Sequence, residues 1–333
     1  MLKEKVIETI KKYKLIESGD KIVVGVSGGP DSISLINILN EIKKENILNC
    51  DFNLIVAHIN HKIREEATSD QEFVEKYCKL KGIKCYVKEE NVNKKAESEK
   101  IGTEEAGRKL RYNFFNEILK KENANKIATA HTANDNAETI LMNIIRGSGL
   151  SGLKGITPVR DNIYIRPLIE ANREEIEEYC KQNNLNPRID KTNFENIYTR
   201  NKIRNILIPC IKKEFNPNII EVLNRLSKII REENEYFEKI TKKKYKEILI
   251  SEENEKQIII DLKKFNSQEL VIKNRIVLYT INRLIGNCQG IEKIHINDII
   301  KMCNNNIGNK YLTPNKHIKI LIKNKKIYFT SML

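Results

Sequence analysis

The chain has 333 residues, of which 40% are hydrophobic and 31% charged, and its formal net charge is +14. This length predicts two or three domains, and the longest apolar runs fall far short of the ~20 residues that span a bilayer. The seven cysteines are scattered and never spaced as C-x-x-C, which predicts reduced thiols rather than structural disulfides or a zinc knuckle. The N-terminal segment has helical apolar spacing and no cleavage site. We therefore expect a soluble, cytoplasmic protein.

The positive charge is unevenly distributed along the chain. Residues 1–180 sum to zero, whereas residues 181–333 carry all of the +14. A neutral half followed by a basic half predicts a domain for small molecules joined to one that binds a polyanion. A general bias towards lysine, asparagine and isoleucine is the alternative explanation.

The first half alternates between strand and helix patterns. Apolar, β-branched runs predict strands at 21–26, 52–59, 83–87 and 126–130. Helical patterns such as 33–44 and 70–81 lie between them. This alternation predicts an α/β fold in which a parallel sheet has helices on both faces. Ligands of such sheets bind beyond the carboxyl ends of the strands, where the segments SGGPDS, HINHKIR and HTANDNAET follow the first, second and fourth strands.

The second half has a different pattern, because the alternation stops after Pro158 and Pro167. The segments ANREEIEEYCKQNN and YTRNKIRNILIP predict two helices. A long helix follows, with an apolar stripe made of Ile219, Val222, Leu223, Leu226, Ile229 and Ile230. Beyond it we expect a short strand at QIIIDL, helices near 268–286 and 295–303, and a hairpin with its turn at Asn324. These patterns predict a boundary between residues 1–215 and a helical linker with a smaller α+β domain at 216–333.

The segment SGGPDS, residues 27–32, has the features of a phosphate-binding loop. Gly28 and Gly29 allow backbone N–H groups to approach a ligand closely, and the helix that follows adds the positive end of its dipole. No Gly-Lys-Ser/Thr follows, which excludes the P-loop of kinases and GTPases, and the glycine spacing does not match the dinucleotide fingerprint. A glycine turn that only tightens a strand–helix junction is the alternative, but it leaves Asp31 and Ser32 unexplained.

This loop resembles the PP-loop of the N-type ATP pyrophosphatases, which split ATP into AMP and pyrophosphate. The resemblance implies an adenine nucleotide alpha hydrolase-like fold. It also implies ATP contacts along the loop, from Ser27, Gly28, Gly29, Pro30, Asp31 and Ser32. Asp31 is expected to hold Mg²⁺ as well, since magnesium takes one or two carboxylates together with phosphate oxygens and water.

Five further segments resemble, in order, the tRNA(Ile)-lysidine synthase family: VAHINHKIREEA, GTEEAGRKLRYNFF, IATAHTANDNAETILMNIIRGSGLSGLKGI, IRPLIEANREEIEEY and YTRNKIRNILIP. The resemblance implies a catalytic domain at 1–215 and a tRNA-binding domain at 216–333. It implies ATP-dependent adenylation of the C2 oxygen of the wobble cytidine in the CAU anticodon of tRNA-Ile. The ε-amine of L-lysine then attacks, which gives lysidine, AMP and pyrophosphate. The sequence leaves open whether the chain forms a homodimer.

Asp135 and Glu138 lie three residues apart at the start of a predicted helix, and hence on one face at the carboxyl edge of the sheet. The resemblance assigns them to lysine binding and catalysis, whereas helix capping and dipole compensation are the alternative. It further implies ATP contacts from Ala57, Ile59, Arg108, Arg111 and His131. Ion pairing within the helix explains the two arginines about as well, and an ordinary hydrogen bond explains the histidine.

A basic helix face near the domain junction contains Arg200, Lys202 and Arg204. These residues are predicted to contact tRNA phosphate or the adenylate, with Arg204 also a catalytic candidate, while a solvated surface is the alternative. His58 and His61 form an H-x-x-H pair, but no third ligand is evident and zinc sites require more.

Two other functions remain open at this point. A tRNA 2-thiolation enzyme of the same PP-loop family would carry a C-x-x-C near the fourth strand, where this chain has no cysteine. A non-catalytic, nucleotide-sensing RNA-binding protein would hold ATP without cleaving it. Many lysidine synthases continue into a further C-terminal domain, whereas this chain ends at KNKKIYFTSML, so we expect weaker tRNA binding.

Overall fold

The computed structural model describes residues 1–62, 67–188, 198–253, 256–305 and 310–332. It divides into two compact units, Met1–Lys228 and Ile229–Leu333. Within the described ranges every helix is too short or too polar to cross a bilayer. The HINHKIR segment runs into residues 63–66, which lie outside the described residues.

A six-stranded sheet forms the centre of the first unit. Its strands are β1 (Lys21–Gly25), β2 (Asn53–Asn60), β3 (Lys84–Glu89), β4 (Lys126–Ala128), β5 (Val159–Arg160) and β6 (Tyr164–Ile165). Their spatial order is β3-β2-β1-β4-β6-β5. All neighbours pair in parallel except β5, which is antiparallel to β6. The short strands β5 and β6 were not predicted, because two residues are too few to show a periodic pattern.

Helices cover both faces of this sheet. They are α1 (Leu2–Tyr13), α2 (Pro30–Lys44), α3 (Ala67–Lys81), α4 (Val92–Glu99), α5 (Thr103–Lys121), α6 (Ala133–Ile145), α7 (Leu150–Leu153) and α8 (Arg173–Gln182). One core cluster contains Leu35 and Ile36 of α2 with residues of α1, α3 and α8. The opposite cluster contains Phe114 and Phe115 of α5. The predicted α/β fold class is confirmed.

A second helical segment follows, made of α9 (Thr199–Lys202), a π-helical turn (Ile203–Leu207) and α10 (Ile208–Glu214). In the turn, the Ile208 N–H bonds the carbonyl of Ile203, five residues back. Pro209 accounts for this widening, because it has no N–H to bond four residues back and its ring would crowd that carbonyl.

The long helix α11 (Ile219–Ile248) has a different buried row from the predicted one. Leu223 and Ile230 are buried as expected, but Leu226 is 39% exposed and Ile229 is 50% exposed. Ser227 lies in the buried row instead, where its hydroxyl donates to the Lys154 carbonyl at 2.7 Å. The predicted stripe was partly wrong because a hydrogen-bonded serine occupies a position in the buried row where the pattern expects an apolar residue.

The second unit contains an antiparallel sheet in the order β7-β8-β11-β10-β9. Its strands are β7 (Leu249–Glu253), β8 (Gln257–Asp261), β9 (Tyr311–Asn315), β10 (Ile318–Lys323) and β11 (Lys326–Ser331), and its helices are α12 (Leu262–Asn266), α13 (Leu270–Ile285) and α14 (Lys293–Asn304). The three helices and one sheet face share a core. The hairpin turn is at Asn324 and Lys325, whose φ angles are 52° and 59°.

Close packing at the end of β1 generates a stability prediction. A Cβ atom on Gly25 would lie 2.5 Å from the Phe115 Cζ. Gly25→Ala should therefore lower the free energy of unfolding by about 1–3 kcal/mol through overpacking, measured by urea denaturation. Gly102→Ala is the matched control, because nothing lies within 4 Å of its added methyl group. Equal stability of the two variants would contradict this account.

Candidate active site

The loop between β1 and α2 has the backbone geometry of an anion site. Gly28 has φ +94°, which is strained for any residue with a side chain. Pro30 is the first residue of α2, where its missing N–H costs no hydrogen bond. Two serines brace the loop, since the Ser32 hydroxyl accepts the Ser27 N–H at 3.1 Å and donates to the Gly29 carbonyl at 3.0 Å. The N-terminus of α2 thus faces the space above the loop, where an anion is stabilised.

The acid pair lies at the start of α6, after β4. Asp135 forms a capping box with Thr132: its Oδ2 accepts the Thr132 N–H at 2.9 Å, and its own N–H bonds the threonine hydroxyl at 3.3 Å. The capping role considered from sequence is therefore real for Asp135, and it uses only one carboxylate oxygen. Glu138, one turn later, is almost completely buried.

Two arginines from the helical segment 199–214 neutralise these acids. Arg200 donates from Nε to Glu138 Oε2 at 2.8 Å and from Nη2 to Asp135 Oδ1 at 3.0 Å. Arg204 donates from Nε to Glu138 Oε1 at 2.5 Å and from Nη2 to Asp135 Oδ1 at 3.3 Å. Lys202 lies between them in sequence and is exposed. An ammonium ion that binds the acids must therefore share them with the guanidinium groups or displace one.

Asp31 connects the loop with this charge network. Burial raises its pKa to about 7, and the negative charges of Asp135 and Glu138 contribute in the same direction, against the effect of Arg173 and Arg204. The three carboxylates are thus close enough to interact. A further cation at Asp31 would favour its ionised form.

The carboxylates of this site can hold Mg²⁺ only together with the phosphate oxygens of a bound nucleotide. Among the described residues, no group of three or more His, Cys, Asp or Glu side chains could hold a metal ion. One carboxylate together with phosphate oxygens and water is sufficient for magnesium. Asp31 can supply that carboxylate, because it lies within the anion loop and in the first turn of α2.

His131 follows β4 and is held neutral. Its Nδ1 lies 2.9 Å from the Thr129 hydroxyl. Burial lowers its pKa to about 3, with help from the positive charges of Arg166, Arg200 and Arg108 and against the effect of Asp135. The ring can therefore exchange hydrogen bonds with a ligand without carrying charge at neutral pH.

The other predicted nucleotide contacts differ in their exposure to solvent. Arg108 and Arg111 are exposed on α5, and the Arg108 guanidinium stacks 4.9 Å from the Tyr112 ring centroid. Ala57 is buried and its carbonyl accepts the Val26 N–H at 3.0 Å, while Ile59 is half-buried near the end of β2. Contacts of these four residues with ATP stay predictions.

His58 has a structural role that accounts for its burial. Its Nδ1 lies 2.9 Å from the Val26 carbonyl oxygen, beside the start of the anion loop. Burial lowers its pKa, although this hydrogen bond acts in the opposite direction. The ring therefore supports the backbone at the end of β1.

Arg166, which sequence reasoning did not select, lies at the same sheet edge. It follows β6 directly and is only 4% exposed. Its Nη1 donates to the Thr157 carbonyl, whereas its buried Nε has no hydrogen-bond partner among the residues that the structure describes. Burial lowers its pKa, and the neighbouring charges of Arg160 and Arg108 act in the same direction. Its only sequence clue was its position after an apolar run in the segment IRPL.

Tyr198 is a second residue that sequence reasoning missed. It immediately precedes α9, is 46% exposed, and its hydroxyl lies 3.0 Å from the Thr103 hydroxyl. An aromatic ring is therefore available close to Arg200. Its location depends on how α9 packs near α5, which no local pattern reveals.

The lowered pKa of His131 predicts a pH-dependent loss of stability. The unfolded chain takes up a proton near pH 6.5, whereas the folded chain does so only near pH 3. Acidification from 6.5 should therefore cost up to about 1.4 kcal/mol per pH unit from this residue. Urea unfolding between pH 4.5 and 7.5 should show a shallower loss for His131→Asn than for the unmodified chain. Identical pH profiles would contradict burial of a neutral ring.

Comparisons with known proteins identify the family of this chain. The PP-loop domain family model matches residues 2–211. A tRNA(Ile)-lysidine synthase of Clostridioides difficile is 46% identical, covering 99% of this chain and 71% of its own length. One from Clostridium acetobutylicum is 49% identical over 93% of this chain, which spans 66% of that relative's length.

Among solved structures, a U34-tRNA thiolase from Methanococcus maripaludis superposes with a TM-score of 0.57 at 20% identity, covering 69% of this chain and 78% of its own. This likeness concerns the fold alone. The lysidine synthase relatives, by contrast, match nearly the whole chain at more than twice that identity. The chain therefore belongs to the tRNA(Ile)-lysidine synthase family of PP-loop proteins.

Proposed function

We propose that this chain uses ATP to join L-lysine to the wobble cytidine of a tRNA-Ile with a CAU anticodon. The observation that carries the proposal is that β1 and β4 are parallel neighbours, so the anion loop after β1 and the acids Asp135 and Glu138 after β4 lie at the same carboxyl edge of the sheet. A nucleotide held by the loop and an amine held by the acids would therefore meet at one sheet edge. The chain spans 71% and 66% of the lengths of the two relatives compared above.

The first step activates a poor leaving group. The C2 oxygen of cytosine attacks the α-phosphorus of ATP, so an O–P bond forms and the bond to the β-phosphate oxygen breaks. Pyrophosphate then leaves with its electron pair. Backbone N–H groups of the loop, such as those of Gly28, Asp31 and Ser32, and the dipole of α2 stabilise its negative charge. Mg²⁺ held by Asp31 would supply further charge neutralisation at the phosphates.

The second step transfers the amine. The ε-ammonium of lysine, with an ordinary pKa of ~10.4, must lose a proton before it can attack C2. Asp135 and Glu138 bind the ammonium, and a carboxylate of the pair accepts that proton. The amine then forms the C–N bond, the C–O bond breaks, and AMP leaves. Lysine binding frees one of the two arginines, Arg200 or Arg204, to pair with the phosphate of AMP or of the tRNA.

The thiolation alternative lacks a suitable nucleophile at the loop. Cys180, whose Sγ lies 3.8 Å from the Pro30 carbonyl oxygen, is buried and pairs with the Ser34 hydroxyl at 3.1 Å. Burial raises the pKa of this thiol, and a protonated thiol is a poor nucleophile. Ligation of lysine is the better supported chemistry.

One assay tests the proposal against both alternatives. The chain is incubated with tRNA-Ile, ATP, Mg²⁺ and labelled lysine. Label in the tRNA together with AMP release supports the ligase. AMP release that depends on a sulfur donor would indicate thiolation, and ATP retention without turnover would indicate a nucleotide sensor. A homodimer, left open by the sequence, is tested separately by sedimentation.

Substitutions in the two halves of the site should separate the two steps. Asp31→Ala should reduce pyrophosphate release by about 100-fold or more, because loop electrostatics act in the first step. Glu138→Gln should largely spare pyrophosphate release and reduce lysine transfer by about 100-fold, because it removes part of the amine site.

The matched control is Glu178→Gln, which makes the same change at an exposed position of α8. Because Glu138 is paired with two arginines, thermal unfolding of each variant verifies that it is folded at the assay temperature. Equal loss of both steps in folded Glu138→Gln protein would contradict this division of roles.

A further inference from the structure

A buried asparagine lies between the two acids in the sequence of α6. Asn136 follows Asp135, precedes Glu138 by two positions, and is completely buried. Its Oδ1 accepts the Ile156 N–H at 2.6 Å, and its Nδ2 donates to the Oδ1 of Asn224, on α11, at 2.8 Å. Both polar atoms of this side chain therefore attach α6 to segments that are distant in sequence.

Asn224 attaches the same turn of α6 a second time. Its Nδ2 donates to the Ala133 carbonyl at 2.9 Å, and also to the Ile220 carbonyl of its own helix at 2.8 Å. Ala133 is the first residue of α6. The hydrogen-bonded pair of Asn136 and Asn224, here called the amide bridge, thus connects α11 to the turn that carries the acids.

The loop before Ile156 is shaped around the amide bridge. Gly155 has φ +61°, and a Cβ atom at this position would collide with Asn136 Oδ1. Ser227, completely buried in α11, donates to the Lys154 carbonyl at 2.7 Å and lies 3.4 Å from Asn136 Nδ2. The loop, α6 and α11 are therefore held by one connected set of hydrogen bonds.

The amide bridge lies beside an apolar contact between the two helices. Buried residues of α6 and α11 share one cluster, which includes Ala133, Ala137, Ile140, Ile220 and Leu223. Apolar contacts of the right volume keep a protein folded but define its geometry less sharply. A buried hydrogen-bond network whose members are satisfied specifies a single arrangement. The amide bridge therefore fixes where the first turns of α6 lie.

We propose that Asn136 and Asn224 are positioning residues for lysine transfer. Their amide bridge holds α6 so that the carboxylates of Asp135 and Glu138 meet the lysine ammonium in the productive geometry. An error of about 1 Å in such a geometry can cost about 100-fold in rate. The anion loop is braced separately, by its own serine hydroxyls. The inference rests on the proposed function, which assigns the two acids to lysine.

The test compares two asparagines of α11 in the full chain. Asn224→Ala breaks the amide bridge at its half-buried member. The matched control, Asn234→Ala, removes a buried amide further along the same helix, which bonds Glu238 at 2.6 Å and Arg275 at 3.1 Å. Incorporation of labelled lysine into tRNA gives the KM values for lysine and for ATP, and thermal unfolding gives the stability of each variant.

Asn224→Ala should raise the KM for lysine at least about tenfold and leave the KM for ATP within about twofold, because the acids are displaced and the anion loop is not. Asn234→Ala should leave both KM values within about twofold, although it too loses buried hydrogen bonds. An unchanged KM for lysine in folded Asn224→Ala protein would overturn the proposal. So would equal increases of the two KM values, which indicate a general loss of structure.

Asn136→Ala provides a second measurement, because it breaks the same bridge from the other side. In the double variant, the increase in the KM for lysine should fall short of the product of the two single increases, since groups that act as a unit are not additive. A full product would overturn the bridge. If Asn136→Ala does not fold, Asn224→Ala with its control decides the question. Failure of the proposed function is distinct, because the unmodified chain would then transfer no lysine.

Discussion

The paired charges of Asp135, Glu138, Arg200 and Arg204 are the constraint on which the site depends. Removing such groups from water is costly, and the cost is offset only when nearly every donor and acceptor is matched. Here both acids bond to both arginines. The helical segment 199–214 is thereby attached to the start of α6 by charge as much as by apolar packing.

This arrangement suits a site that must accept a charged amine. A carboxylate pair already compensated by cations is stable without a ligand, and a lysine ammonium can replace a guanidinium without leaving a buried charge unpaired. Burial raises the pKa of Asp31 in the loop, and the negative charges of both acids act in the same direction. The loop and the acid pair are therefore electrostatically one site, although they follow different strands.

Much of the fold and of the candidate site could be predicted because the patterns that specify them are local in sequence. The alternation of strands and helices, the glycine pair at the first turn and the spacing of Asp135 and Glu138 are all visible within short windows. What could not be predicted depends on residues distant in sequence. The buried state of Arg166 and the contact of Tyr198 with Thr103 arise only when separate elements assemble. The stripe on α11 was partly wrong because Ser227 satisfies its hydroxyl through Lys154, 73 residues away.

Pro209 has an influence beyond its own position. By enforcing a turn closed over five residues, it sets the angular offset between the parts of the helix that precede and follow Arg204. A residue gained or lost from a regular α-helix would rotate one part against the other by about 100°. Pro209 therefore helps to determine how the arginines of this segment are directed towards the carboxylates. An insertion or deletion near this proline would disturb that direction.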